Sequence, residues 1–297
     1  MRSYAVVLTF FRAIVIGLFQ GVTELFPVSS LGHSVLIPAL VGWDDIVKQQ
    51  STESPYLAFL VALHVGTALA LLVYFRRDWV KIVGGLLDSA RQRRVTTPDA
   101  RLGMLLIVAT IPAGITGLVF EHELRTLFAK PTAAAIFLTI NGAILLVGER
   151  LRRRVAAGAG YGGDGFVGGR SIDSLSYGEA VFIGVTQIGA LFAGISRSGI
   201  TMVGGLMRGL DHEDAARFAF LLATPIILAA GVYKVPDLMG HLGDGIRGQA
   251  LAGAVVAAVA AYISTRFLVR FFETQTLTPF GIYCLGFGAF CIVRFAF

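Results

Sequence analysis

The sequence predicts an all-α polytopic membrane protein, an inverted-topology repeat with six transmembrane spans and two re-entrant helical hairpins. Three observations carry this expectation. First, hydrophobic residues make up 55% of the 297 residues and charged residues only 15%, with a mean hydropathy of +0.74. A soluble globular chain carries about 25% charged residues, so there is too little charge here to cover a water-facing surface. Second, six segments are apolar over about the 20 residues that a spanning helix needs. Third, two further stretches are apolar but broken in their middles, and they resemble each other.

In chain order, the first broken stretch is 4–42. Spans are expected near 56–75, 102–120 and 132–148, then a second broken stretch at 177–210, then spans near 215–235, 249–269 and 279–296. Gly, Pro and Ser interrupt the two broken stretches. Non-helical backbone at membrane depth is tolerated only where protein buries it or it lines a wet cavity, so both read as re-entrant hairpins. The N-terminal stretch lacks the strongly basic start of a cleavable signal and is kept as structure. Segment 76–101 reads as including an amphipathic surface helix. The stretch 149–176, rich in Gly and Arg, reads as a flexible loop, and Ser176 with Glu179 as a capping box opening the second hairpin. The expected organisation is therefore a first repeat at 1–148, a basic loop at 149–176 and a second repeat at 177–297.

The duplication rests on several matches in order. Ile16-Gly17-Leu18-Phe19-Gln20 parallels Ile183-Gly184-Val185-Thr186-Gln187, Val28-Ser29 parallels Ile195-Ser196, and Gly32 parallels Gly199. Farther on, Ala58-Phe59-Leu60 parallels Ala219-Phe220-Leu221. A re-entrant hairpin enters and leaves on one side, and an odd number of spans separates the two, so the second must enter from the opposite face. Such an arrangement places a functional site near the midplane, where broken helices meet.

The formal net charge is +6, and its cations cluster: Arg76, Arg77, Lys81, Arg91, Arg93, Arg94 and Arg101 in one segment, Arg150, Arg152, Arg153, Arg154 and Arg170 in another. Beside apolar spans, such clusters mark the cytoplasmic face. No nucleic-acid module accompanies them, so a nucleic-acid partner is not expected. This orientation puts 43–55, 121–131 and 236–248 outside, although Arg2 and Arg12 count mildly against it. Cys284 and Cys291 lie seven apart in one span, too far apart to bridge, and redox chemistry is not a theme. Arg217, Lys234, Arg266 and Arg270, near span ends, are expected to snorkel, and His64 to be a packing or cavity residue.

Polar groups inside the broken stretches are the functional signal. The first contains Gln20, Glu24, Ser29, Ser30 and His33; the second contains Gly194, Ser196, Arg197, Ser198 and Thr201. Each charged type costs on the order of 2.5–3.5 kcal/mol or more at a helix centre, so such residues mark sites by default. Blander roles exist for each. Glu24 and Arg197 would also make a structural ion pair, His33 a packing histidine, and the serines backbone-bonding hydroxyls. The cluster Gly194-Ile195-Ser196-Arg197-Ser198-Gly199 weighs against them as a set. Its glycines expose N–H groups, and Arg offers a fork for phosphate oxygens.

At these residues the chain resembles the undecaprenyl-diphosphate phosphatase family, the bacitracin-resistance phosphatases. The likeness lies in the run from Gln20 to His33, with Pro27-Val28-Ser29-Ser30-Leu31-Gly32-His33, and in the run from Gly194 to Thr201. Leu63-His64-Val65-Gly66-Thr67, Ile111-Pro112-Ala113 and Arg217-Phe218-Ala219-Phe220-Leu221-Leu222 support it. Two departures stand out: Gln20 takes the amide form of the first motif position, and Ala193 replaces the usual proline before Gly194. The resemblance implies hydrolysis of undecaprenyl diphosphate to the monophosphate and inorganic phosphate. That reaction recycles the lipid carrier for cell-wall synthesis and confers bacitracin resistance. It also implies a multi-pass protein of the bacterial inner membrane with its site opening outward, and a divalent cation, Mg2+ or Ca2+.

On the same basis, Glu24, Ser30, His33 and Arg197 would be catalytic, with Glu24 ligating the metal or acting as a base. Gln20, Ser29, Gly194, Ser196, Ser198 and Thr201 would bind substrate. Ser30 and His33 are three residues apart and share a helix face. This favours a Ser30 nucleophile with His33 as base, while direct attack by His33 stays open. The rival function is a polyprenyl-phosphate transporter or flippase without chemistry, since inverted repeats with broken helices are a transporter signature. Whether two copies pair as a homodimer is open at this stage.

Overall fold

The structure, a computed structural model, describes residues 8–43, 45–46, 54–120, 130–158 and 169–296. Among them are eleven α-helices and no strands. In the first half these are α1 (Phe10–Thr23), α2 (Ser30–Leu40), α3 (Pro55–Tyr74), α4 (Arg76–Gln92), α5 (Pro98–Val119) and α6 (Pro131–Gly158). The second half holds α7 (Tyr177–Thr186), α8 (Arg197–Met207), α9 (His212–Met239), α10 (Arg247–Phe272) and α11 (Thr278–Ala296). Six of them, α3, α5, α6, α9, α10 and α11, are long and apolar enough to cross a membrane. Helices α1, α2, α7 and α8 are too short for that.

Local chemistry explains the boundaries. Ser54 and Thr97 each cap a helix with a side-chain oxygen, and Pro55 and Pro98 follow at the first helical position. Ser176 and Glu179 form the expected capping box at the start of α7. Helix α4 carries the amphipathic character expected of the basic segment, with Ile82 and Ser89 its buried residues.

The two short helix pairs sit against the other half of the chain. Helix α1 packs on α10, and α7 packs on α5. Glycines at corresponding positions permit both contacts. A Cβ at Gly17 would run into the Gly253 backbone, and one at Gly184 into the Ala109 backbone. Small residues that let backbones approach closely are the usual basis of helix association where lipid removes the hydrophobic drive. Helix α6 packs along α11, and α3 along α9.

Two sequence expectations need amendment. Helix α6 continues through Gly158, so the stretch expected to be loop from 149 opens as helix. Hydropathy falls at Glu149, but Glu, Arg, Leu and Ala are all good helix formers. The rest of the glycine run, 159–168, lies outside the described residues, as do most of 43–55 and 121–131. Arg217 does not simply snorkel: its Nη2 pairs with Asp78 Oδ1 of α4 at 2.5 Å. Glu149 is buried and binds the buried His212 Nε2 at 2.8 Å, tying α6 to the start of α9. The side chain of Lys234 lies outside the described residues. Cys284 and Cys291 are free thiols, both buried.

Candidate active site

The turns of the two short helix pairs meet. In the first, α1 ends at Thr23, and Glu24 to Val28 form the turn before α2. Ser29 caps α2, its Oγ accepting from Gly32 N at 3.2 Å, with a backbone φ of 67° that L-residues seldom adopt. In the second, Ser196 caps α8 in the same way, accepting from Gly199 N at 3.2 Å. Two helix N-termini are thus placed at one locus, and helix N-termini attract anions through their free N–H groups and dipole.

Direct hydrogen bonds join the turns. Gly194 N donates to Ser29 Oγ at 3.1 Å. Ser196 and Ser198 donate to the Phe26 carbonyl at 3.4 and 3.2 Å. Gly194 has φ +114°, and a Cβ there would press on Ala134, Phe137 and Leu138 of α6, so only glycine fits both the backbone and the space.

Glu24 is the centre of the cluster. Its Oε1 lies 2.5 Å from Arg197 Nη2. Its Oε2 accepts from the Ser30 hydroxyl and from Gln20 Nε2 at 3.0 Å, and His64 Nε2 stands 3.4 Å from the same oxygen. The carboxylate is 6% exposed, Arg197 16% and His64 25%, so the two basic groups are its route to the cavity. That cavity, of about 140 Å³, is lined by Glu24, Ser29, Ser30, His64, Ser196 and Arg197 together with apolar Leu31, Ala190, Ile195 and Ile227. It holds a hydroxyl, a carboxylate and a guanidinium together in an otherwise apolar setting, which suits a phosphorylated amphiphile.

The expected site residues do not all converge. Ser29, Ser30, Glu24, Ser196 and Arg197 line the cavity. Gln20 stands behind Glu24 with its Oε1 buried and unpartnered among the described residues. Gly194 and Ser198 act in the contact between the turns. Thr201, one turn along α8 from Arg197, is buried with an unpartnered Oγ1 and does not line the cavity.

His33 departs from expectation in its contacts. Its Nδ1 is 2.7 Å from the Ser29 carbonyl and its Nε2 2.8 Å from the Tyr283 hydroxyl. A carbonyl only accepts, so Nδ1 carries the hydrogen, and neither nitrogen is bonded to Ser30. The ring is stacked beside Tyr283 and Phe287 at centroid distances of 5.9 and 5.4 Å. The helix spacing of Ser30 and His33 was right, but the turn points the hydroxyl at Glu24 instead.

Sequence reasoning missed two contributors, Asn141 and Tyr283; His64, expected to be a packing or cavity residue, lines the cavity. His64 had a usable signal, an ionisable residue inside an apolar span.

A resident cation fits poorly. Among the described residues no group of three acidic, histidine or cysteine side chains is arranged to hold a metal. Glu24, the one carboxylate lining the cavity, already faces Arg197, Ser30, Gln20 and His64.

Comparison with known proteins bears on this arrangement. A family model described as bacitracin resistance protein BacA matches residues 13–290. The chain is 55% identical to undecaprenyl-diphosphatase 2 of Frankia alni, over 97% of this chain and 98% of that protein. It is also 55% identical to an undecaprenyl-diphosphatase of Mycolicibacterium paratuberculosis, with the same coverage. Similarity to an undecaprenyl-diphosphatase of Acidiphilium cryptum is 48% over 96% of this chain and 98% of that protein.

Proposed function

We propose, from the premise that this chain belongs to the bacitracin resistance protein BacA family, that it is an undecaprenyl-diphosphatase. It hydrolyses undecaprenyl diphosphate to undecaprenyl phosphate and inorganic phosphate, returning the lipid carrier to cell-wall synthesis and conferring bacitracin resistance. One observation carries the reading at the level of chemistry: the Ser30 hydroxyl is held on Glu24, whose other oxygen is paired with Arg197, at the wall of one cavity.

Phosphoryl transfer depends mainly on positioning and on neutralising phosphate charge. Arg197, with a planar fork of donors, is suited to the oxygens of the terminal phosphoryl group. The N-terminus of α8 adds a favourable field. Ser30 Oγ attacks the terminal phosphorus while Glu24 takes its proton. The bond to the bridging oxygen breaks and its electron pair leaves on undecaprenyl phosphate. Water then attacks the phosphoserine, Glu24 returns its proton to Oγ, and inorganic phosphate leaves. A hydroxyl needs such a base to become nucleophilic. We therefore move the base from His33 to Glu24, and give His33 the task of fixing the Ser29 carbonyl and so the turn that carries Ser30.

The divalent cation rests on the family resemblance. Glu24 is already surrounded by donors, and no step is routed through the cation.

We further infer that the helix pairs α1–α2 and α7–α8 are re-entrant hairpins of an inverted repeat. Reciprocal packing supports this, with Gly17 on α10 and Gly184 on α5. The membrane is the bacterial inner membrane, the basic segments face the cytoplasm, and the cavity opens outward. A transporter without chemistry would use Arg197 and the glycines, but has no need of a serine hydroxyl held on a carboxylate. The deciding experiment is phosphate release from undecaprenyl diphosphate by purified protein in detergent. Turnover is expected, and Arg197→Ala should abolish it. Protein that binds the lipid yet releases no phosphate would overturn the proposal in favour of transport.

A further inference from the structure

We propose that Asn141 is a positioning residue for this reaction: it holds the turn carrying Glu24 and Ser30 in register with the turn carrying Arg197. The inference rests on the phosphatase reading above and concerns a residue outside both sequence motifs.

Asn141 lies in the apolar helix α6 and is fully buried, at 0% exposure. A lone amide there is costly unless all its bonds are made. They are made to the two turns. Its Nδ2 donates to the Pro27 carbonyl of the first turn at 3.0 Å, and its Oδ1 accepts from Ser196 N of the second at 3.0 Å. A backbone carbonyl only accepts and a backbone N–H only donates, so the partners fix the orientation of the amide. The second hydrogen on Nδ2 points to Cys284 Sγ at 3.3 Å. One side chain of a third helix thus bridges Pro27, midway between Glu24 and Ser30, to Ser196, the neighbour of Arg197.

Apart from the Ser198 hydroxyl on the Phe26 carbonyl, the other contacts between the turns are less independent of substrate. The Glu24–Arg197 pair must loosen for Arg197 to reach a phosphate and for Glu24 to accept a proton. Ser196 and Ser29 line the cavity and face the incoming ligand. Asn141 does not line the cavity, and its bonds to the two turns go to backbone atoms that take no part in the chemistry. It can therefore keep the distance from Ser30 to Arg197 fixed while the pair between them opens. No aliphatic side chain offers both a donor and an acceptor at this point.

The test is kinetic. Asn141→Ala and the isosteric Asn141→Asp are purified in detergent alongside wild-type protein. Turnover of undecaprenyl diphosphate is measured per folded molecule, together with the thermal midpoint. For Asn141→Ala we expect kcat to fall about 100-fold, the loss that a misplacement of about 1 Å brings, with KM changed less than about threefold. Asn141→Asp keeps the acceptor for Ser196 N and loses the donor to Pro27, so its kcat should fall between the other two. Cys284→Ala removes the sulfur's contacts to Asn141 Nδ2 and to the Pro27 carbonyl but leaves both bonds from Asn141 to the turns, and should turn over like wild type. Activity lost only in proportion to folded protein, or a folded Asn141→Ala with wild-type kcat, would overturn the proposal. So would a Cys284→Ala loss equal to that of Asn141→Ala. An inactive wild-type protein would instead count against the phosphatase reading itself.

Discussion

Arg197 Nη2 sits 2.5 Å from Glu24 Oε1, joining two residues 173 apart in sequence and drawn from the two halves of the chain. Neither residue is affordable at membrane depth alone; together they neutralise each other, and Ser30, Gln20 and His64 complete the carboxylate's contacts. Breaking a buried pair by removing one partner leaves an uncompensated charge, which typically costs about 3–5 kcal/mol. Substitutions here must therefore be judged by activity per folded molecule.

Glu24→Gln keeps the shape and the contact to Ser30 but removes the base. A positioned general base contributes typically about 10²–10⁴-fold, and kcat should fall within that range. Steady-state kinetics on folded protein checks it. A Glu24→Gln protein within tenfold of wild type means that the proton goes elsewhere, and restores His33 as the candidate.

Arg197→Lys retains the charge and loses the planar fork. A point charge cannot reproduce bidentate contact with phosphate oxygens, so activity should drop by about 100-fold, the scale of losing one preorganised donor. Near wild-type turnover in Arg197→Lys would show that Arg197 serves only as a counter-ion to Glu24.

Gly194→Ala introduces a Cβ where φ is +114° and α6 is in contact. Strained backbone of this kind costs about 1–3 kcal/mol, and overpacking adds to it. We expect a lowered thermal midpoint in detergent, whereas Gly114→Ala, with nothing near its Cβ position, should leave the midpoint in place. An unchanged midpoint in Gly194→Ala would contradict the close packing of the second turn on α6.

Topology is testable with thiols because both native cysteines are buried. Asp244→Cys should react with an impermeant thiol reagent in intact cells. Gln92→Cys, at the end of α4, should react only after lysis. The opposite pattern would turn the protein over in the membrane and open the cavity to the cytoplasm.

Much of this architecture was legible in the sequence because its signals are strong and local. Apolar length marked the six spans, and Gly and Ser at matching offsets marked the two turns. The cap at Ser176 follows from side-chain chemistry within three residues. The site was partly legible: an acid, a base and hydroxyls in apolar sequence pointed to Glu24, Ser30 and Arg197. The Glu24–Arg197 pair was legible as well, but the partners of Ser30 and His33 were not. The helix period places Ser30 and His33 on one face, yet the Ser29 backbone at φ 67° turns the hydroxyl toward Glu24. Asn141, His64 and Tyr283 each stand alone in an apolar span, and no local pattern says which neighbouring helix they address. The length of α6 was misjudged because hydropathy reports where lipid ends, not where a helix does.

The claim at the centre of this account is that Ser30 attacks phosphorus with Glu24 as its base. The most direct measurement is to quench turnover of undecaprenyl diphosphate labelled at the terminal phosphorus and to map the label on the protein. An acid-stable label on Ser30, absent from Ser30→Ala, is the predicted result. An acid-labile, base-stable label that persists in Ser30→Ala would place the bond on histidine and contradict the account.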